Sequence, residues 1–259
     1  MRTTVTSLLV AMGILVSAHS ASAVAFTSDD FNCPGLDAVW KFVNPLNDGG
    51  YGLVGSATGQ AYLTLSLPAG TSHDAWGPGG VNQTVRMMQA AQNVDFKLEV
   101  KFNFEPTAGY DDQGIIVEQD ANNWLRVDVY NPGTGPKLFV GTTVAGANST
   151  KLNANVPVGS SLALLLERVG DTWTVSRSPD ASSWTVATSF AQAFVVSEVG
   201  VYAGNPIGVL DFTSEVDWFF EQDHPIAPED PTNTDRCIGI TPAHSSTWGD
   251  IKALYRDPR

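Results

Sequence analysis

Positive charge is scarce in this chain. Its 259 residues hold 14 Lys and Arg against 27 Asp and Glu, a formal net charge of -13. Nucleic acid is repelled by such a surface, and strongly acidic polysaccharides are disfavoured for the same reason. Long helical periodicity is missing, which argues against helical bundles and α/β layers. Only 4 His and 2 Cys occur, and none stands at metal-ligand spacing. No Gly-x-Ser-x-Gly and no cysteine placed as a nucleophile are present. Beyond the N-terminus no segment is apolar enough to cross a bilayer.

The one long apolar run, Leu8 to Val16, lies within residues 1–23. Arg2 supplies a positive start, and Ala21-Ser22-Ala23 is an A-x-A cleavage site. Residues 1–23 therefore read as a secretory signal peptide, and the mature protein as extracellular or periplasmic. Export permits a disulfide between Cys33 and Cys237, the only cysteines. It would close a loop of roughly 200 residues, worth up to ~5 kcal/mol in the chain-entropy model.

Glycine, threonine, serine, valine and asparagine punctuate more than ten short β-rich runs. In the stretch from Gln60 to Leu67, Ala61, Leu63, Leu65 and Leu67 alternate with polar residues. From Asp95 to Phe104, Phe96, Leu98, Val100, Phe102 and Phe104 alternate with charged and amide residues. Such period-two patterns give strands with one buried face. Gly170-Asp171 is a hairpin turn between two more runs. The pattern predicts an all-β sandwich of two antiparallel sheets over residues 24–221. Residues 222–259 read as a Pro-rich, acidic strap followed by a short helix from Ser246 to Arg256. Thr247 caps that helix, and Ile251, Leu254 and Tyr255 form its apolar stripe. Asn82-Gln83-Thr84 and Asn148-Ser149-Thr150 match the glycosylation sequon and read as ordinary loops.

The most informative segment runs from Tyr110 to Tyr130. Asp120-Ala121-Asn122-Asn123 suits a tight turn between two strands. A regular hairpin pairs Gln119 with Trp124 and Gln113 with Tyr130. One face then carries Gln113, Gln119, Trp124, Arg126, Asp128 and Tyr130, with Ile115 and Val117 between them. The other carries Ile116, Leu125, Val127 and Val129 and faces a core. Aromatic rings stack on the apolar faces of pyranoses, and planar polar groups pair with hydroxyls. The first face is thus a saccharide surface in outline, or else a solvated sheet with ordinary aromatic packing. The loop Pro68 to Trp76 brings His73, Asp74 and Trp76, which either wall one end of that surface or simply cap and pack.

Several of these segments, in order, resemble a known family. SDDF near Asp29, PAGTSHDAW ending at Trp76, the hairpin, SPDASSW ending at Trp184, GVYAGN ending at Asn205 and EVDWFF ending at Phe220 are similar to secreted bacterial domains of unassigned function. These belong to the concanavalin A-like lectin/glucanase superfamily and resemble the C-terminal jelly-roll domain of some β-xylosidases. The likeness covers roughly Phe26 to Glu221. It implies a jelly roll whose concave sheet is the saccharide face, and it supplies no reaction.

Enzymes of that superfamily carry a Glu-x-Asp strand with a third acid two or three residues on. Here Glu215, Asp217 and Glu221 come close, but the third acid falls late. Residues six apart on a strand stand ~20 Å apart, too far for a glycosidase pair needing about 5 Å. The segment reads as structural. Asp217 reads as a buried hydrogen-bonded or exposed acid, with a structural Ca²⁺ held by Asp29, Asp30 and Asp217 as the alternative and the one cofactor the sequence points to.

The expected function is carbohydrate binding, with an oligo- or polysaccharide held by His73, Asp74, Trp76, Arg86, Gln113, Trp124, Arg126, Asp128 and Tyr130. A glycoside hydrolase or polysaccharide lyase on the same face, with His73 or Asp128 as base, is the alternative. A non-catalytic envelope or adhesion protein attached by its tail is the third.

Overall fold

The computed structural model describes residues 24–237, residue 108 apart. The expected signal peptide and the expected helix from Ser246 to Arg256 lie outside the described residues. Two seven-stranded sheets face each other, and every strand pair is antiparallel. One sheet is ordered β1 (Trp40–Val43), β4 (Val85–Ala90), β13 (Glu198–Gly204), β6 (Asp112–Asp120), β7 (Asn123–Tyr130), β8 (Lys137–Val144) and β9 (Ala147–Asn155). The other is ordered β12 (Thr185–Ala191), β11 (Thr172–Ser178), β10 (Ala163–Val169), β5 (Phe96–Phe102), β14 (Phe212–Glu221), β3 (Tyr62–Leu67) and β2 (Gly50–Val54).

The core lies between the sheets, where alternation along each strand puts the apolar residues. Leu63, Leu65, Leu98, Val100 and Phe102 from one sheet meet Ile115, Val117, Leu125, Val127, Val199 and Val201 from the other. Each such side chain, fully buried, contributes roughly 1.5–3 kcal/mol before chain entropy is counted. The alternation expected for β3 and β5 is observed. β9 is a correction: Asn148, Ser149 and Thr150 belong to this strand, not to a loop. Its sequence is polar because it is an edge strand with little face to bury.

The hairpin of β6 and β7 forms where expected, but its register differs by one. The pairing shifts at Gln119, so Glu118 faces Trp124, Ile116 faces Arg126, Gly114 faces Asp128 and Asp112 faces Tyr130. A bulge adds one residue to one strand and moves everything beyond it to the opposite face. Ile115 and Val117 therefore point into the core with Leu125 and Val127. Asp112, Ile116 and Glu118 share the outer face with Trp124, Arg126, Asp128 and Tyr130.

The N- and C-terminal ends of the described chain are clasped together. Cys33 and Cys237, 204 residues apart, form the expected disulfide with their Cα atoms 5.5 Å apart. Asn32 donates to the carbonyls of Pro231 at 2.8 Å and Asn233 at 3.1 Å. Asp230 accepts from the Ala61 amide at 2.7 Å, and Arg236 pairs with Asp30. The strap thus lies on the sandwich as far as residue 237. Among the described residues no helix is long and apolar enough to cross a membrane.

Candidate saccharide cleft

The connection from β3 to β4 folds across the outer face of the β6–β7 sheet. Ala75 is its plug: it is fully buried against Met88, Ile116, Trp124 and Tyr202. His73 pins the start of this crossing. Its Nδ1 meets Asn205 Oδ1 at 2.8 Å and its Nε2 meets Asp48 Oδ1 at 2.8 Å. Both ring nitrogens are therefore engaged in a wholly buried side chain. The neighbouring Asp74 is not its partner; Asp74 Oδ1 accepts from the Trp76 amide at 2.7 Å and fixes the turn.

Crossing the sheet, the loop leaves a cleft of about 330 Å³ on one side, lined among others by Asp74, Trp76, Tyr110, Asp112, Tyr130 and Asn153. Trp76 meets Phe139 edge to face with ring centroids 5.1 Å apart. The Arg126 guanidinium carbon lies 5.2 Å from the Trp76 centroid and 4.4 Å from that of Phe139. Gly141 makes this possible, because a Cβ there would meet both Trp76 and Phe139 at 2.7 Å. Tyr130 stacks with Tyr110, and its hydroxyl donates to Asn153 Oδ1 at 3.0 Å.

Beneath the rings lies a charged floor. Arg126 Nη1 donates to Asp112 Oδ2 at 3.3 Å, and its Nε stands 3.4 Å from Asp128 Oδ2. Burial opposes the guanidinium charge, but Asp128, Tyr202, Asp112 and Asp74 outweigh it and keep Arg126 charged. Burial, then Asp128, pushes the Asp112 carboxyl well above the usual range; burial also raises Asp128 against the pull of Arg126. One cation neutralises one of two buried carboxyls, so the other keeps its proton. The Tyr202 phenol is raised by burial and then by Asp128, and its hydroxyl stops short of hydrogen-bond geometry with that carboxylate. Next to Asp112 in sequence, burial and then Asp211 raise Asp111 to about 6.

The expected ligand-binding residues are thus divided. Asp74, Trp76, Arg126 and Tyr130 meet in the cleft. Trp124 lies 1% exposed under the loop and offers no stacking face there. Gln113 points to the other side of its strand, where its amide donates to the Phe104 carbonyl, because the bulge reverses its face. Arg86 stands beyond the loop with Glu118, 3.1 Å from its Oε1. His73 and Asp128 are both wholly buried, which removes them from contact with a ligand in the cleft. Sequence reasoning missed Asp112, Tyr110, Phe139, Thr150 and Asn153. Phe139 had a usable signal, since the run from Lys137 to Gly141 alternates and belongs beside the hairpin. Asp112 was hidden by the bulge.

The expected Ca²⁺ ligands do not converge. Asp29 accepts from Trp40 Nε1 at 2.7 Å and from the Phe31 amide at 2.8 Å. Asp30 pairs with Arg236, and Asp217 with Lys101 Nζ at 2.7 Å. Asp217 sits at a bulge in β14 and lies instead near Glu229 and Asp230, with one oxygen from each within 4.8 Å of the others. Lys101 already balances Asp217. The Glu215-to-Glu221 strand belongs to the second sheet, so it faces away from the cleft.

Fold and cleft define a class: a jelly-roll sandwich of two antiparallel seven-stranded sheets with an aromatic-walled, polar-floored cleft on one sheet. Residues 59–220 match the family described as a protein of unknown function (DUF1349), and the chain belongs to that family. No curated protein matches it. Among solved structures it is similar to a glycoside hydrolase family 43 protein of Bacillus licheniformis, at 20% identity and a TM-score of 0.57. That match covers 74% of this chain and 38% of the other, so the chain spans well under half of that protein's length. A functionally unknown protein from Saccharomyces cerevisiae matches at 15% identity and a TM-score of 0.53, over 71% of this chain and 97% of that one. A Bacteroides ovatus family 16 protein in complex with a G4G4G3G product matches at 12% identity and a TM-score of 0.50, over 75% of this chain and 98% of that one. Identities this low speak to the fold.

Proposed function

We propose that the protein is a secreted carbohydrate-binding module holding a neutral oligosaccharide in the cleft beside Trp76. The observation that carries the reading is the placement of Arg126 between the Trp76 and Phe139 rings, with Asp74 and Asp112 beside it. Hydroxyls need donors and acceptors held in fixed positions, and sugar rings need flat apolar surfaces; the cleft offers both in a volume suited to a small ligand. The near balance of Arg126 against the buried carboxyls favours a neutral ligand over a charged one. The structural likeness to glycoside hydrolases supports this class of ligand. The disulfide and the leader-like N-terminus support export, since such bonds persist in oxidising compartments.

Hydrolysis is the second reading, and Asp112 is what favours it. A carboxyl kept protonated by burial beside a cleft is what a general acid requires. Calorimetric titration with a panel of xylo-, gluco- and manno-oligosaccharides tests the first reading, with the solutions then analysed for cleavage. Binding without products, weakened at least tenfold by Trp76→Ala, is the expected result. Products that vanish in Asp112→Asn would replace it with the second. Neither binding nor cleavage across the panel would remove both.

A further inference from the structure

Beyond the crossing loop, the same sheet carries a separate cleft of about 310 Å³, lined by Gly79, Val81, Asn82, Arg86, Glu118 and Trp124 among others. It shares no lining residue with the cleft beside Trp76. Its polar groups are unusual in being committed on one side only. Asn82 Oδ1 accepts from the Thr84 amide at 3.0 Å and from the Thr84 hydroxyl at 2.6 Å, which fixes the amide's orientation. The Asn82 Nδ2 group is left without an acceptor among the described residues. Trp124 is 1% exposed, yet its indole Nε1–H also finds no acceptor among them. Both of these neutral groups are donors. A buried donor without a partner costs about 1–3 kcal/mol, so a fold that keeps two at one cleft has a use for an acceptor there.

The charge of the cleft decides which acceptor. Arg86 donates through Nη1 to the Thr84 carbonyl at 3.2 Å, and its Nε stands 3.1 Å from Glu118 Oε1 as an ion pair outside hydrogen-bond geometry. Burial, opposed by Arg86, raises the Glu118 carboxyl, and Glu198 stands near enough to raise it further. The guanidinium is thus already balanced, and among the described residues no second cation lines the cleft. An anionic ligand gains nothing here against a chain of net charge -13. The orphan donors suit a neutral oxygen, and the Glu118 carboxylate can accept from a neighbouring O–H or N–H.

We infer that this second cleft is a saccharide subsite independent of the first, which receives a neutral hydroxyl or acetamido oxygen on the indole N–H of Trp124 and the amide of Asn82. This goes beyond the reading of the Trp76 cleft and does not rest on it. The Trp124 indole is itself the reporter. In ¹⁵N-labelled full chain, its Nε1–H resonance is assigned by its loss in Trp124→Phe. Xylobiose, di-N-acetylchitobiose and galacturonic acid are then titrated separately. A progressive shift of that resonance with either neutral disaccharide is expected. Movement with both points to hydroxyl recognition, and movement with the chitobiose alone points to its acetamido carbonyl. Val81→Arg, at an exposed rim position, blocks the mouth without touching the core and is expected to abolish the shift. Tyr130→Ala, which removes a wall of the first cleft and keeps the crossing loop's anchors, is expected to leave it intact. The Trp76 indole resonance reports the first cleft in the same spectra, so the two readings fail separately. No shift with either neutral sugar, a shift with galacturonic acid alone, a shift that persists in Val81→Arg, or its loss in Tyr130→Ala overturns the inference.

Discussion

Asp29 shows how far a residue's environment departs from its sequence. It falls in an acidic cluster near the N-terminus and suggested a metal ligand. In the fold it anchors the Trp40 indole and the Phe31 amide, and burial lifts its carboxyl from 3.8 to about 6. A carboxyl raised in the folded state favours folding while protonated. That contribution is fully present below about pH 4 and is lost as pH rises through about 6. Asp29→Asn removes the charge but offers one acceptor oxygen to two N–H donors. In urea unfolding it is expected to fall below the parent at about pH 4 by the worth of the lost bond, about 1–3 kcal/mol, and to recover relative to the parent by roughly 1–3 kcal/mol towards neutral pH, the worth of up to two pKa units. A difference that does not change with pH would mean that water, not protein, surrounds this carboxyl. Trp124 makes the same point for binding: an aromatic on the expected face is a ligand platform only if nothing lies over it.

At the scale of elements, two devices shape the surface. The bulge at Gln119 decides which β6 side chains reach the outer face. The crossing loop divides that face into two clefts. The loop has little apolar anchorage of its own beyond Ala75 and Trp76, so its seat depends on His73 bridging Asn205 and Asp48. His73→Ala leaves Asn205 and Asp48 without that partner. A loss of about 1–3 kcal/mol is expected. Backbone amides of residues 73–82 are expected to exchange faster with solvent, and sugar binding beside Trp76 to weaken. Amide exchange measured by mass spectrometry checks this. Unchanged protection there would show that Ala75, Trp76 and the backbone pairing of residue 73 with Asn205 seat the loop without the imidazole. The strands were legible because burial on one face imposes a period of two. The bulge was not, because one extra residue leaves that period unbroken on each side.

For the whole molecule, the ends of the described chain are joined by a bond that closes nearly the entire sandwich. A loop of 204 residues carries a large closure entropy, worth about 5 kcal/mol in the unfolded chain. The double variant Cys33→Ser, Cys237→Ser is expected to lose about that much in chemical denaturation. Reductant should then destabilise the parent and leave the variant unmoved. A variant as stable as the parent would mean that the strap contacts of Asn32, Asp230 and Arg236 already hold the ends.

The sequence by itself determined the fold class, most strands and the disulfide, because each rests on local rules: alternation, turn residues and the pairing of the only two cysteines. It also named Asp74, Trp76, Arg126 and Tyr130 as candidates on the chemistry of their loop and strand, and the fold brings those four to one cleft. The tertiary structure alone decided that Trp124 is covered, that Gln113 turns inward while Asp112 turns outward, and that Arg86 serves a different cleft. Those outcomes depend on a single bulge and on the path of a loop across strands distant in sequence. Neither leaves a periodic trace, because the packing that fixes them lies between elements.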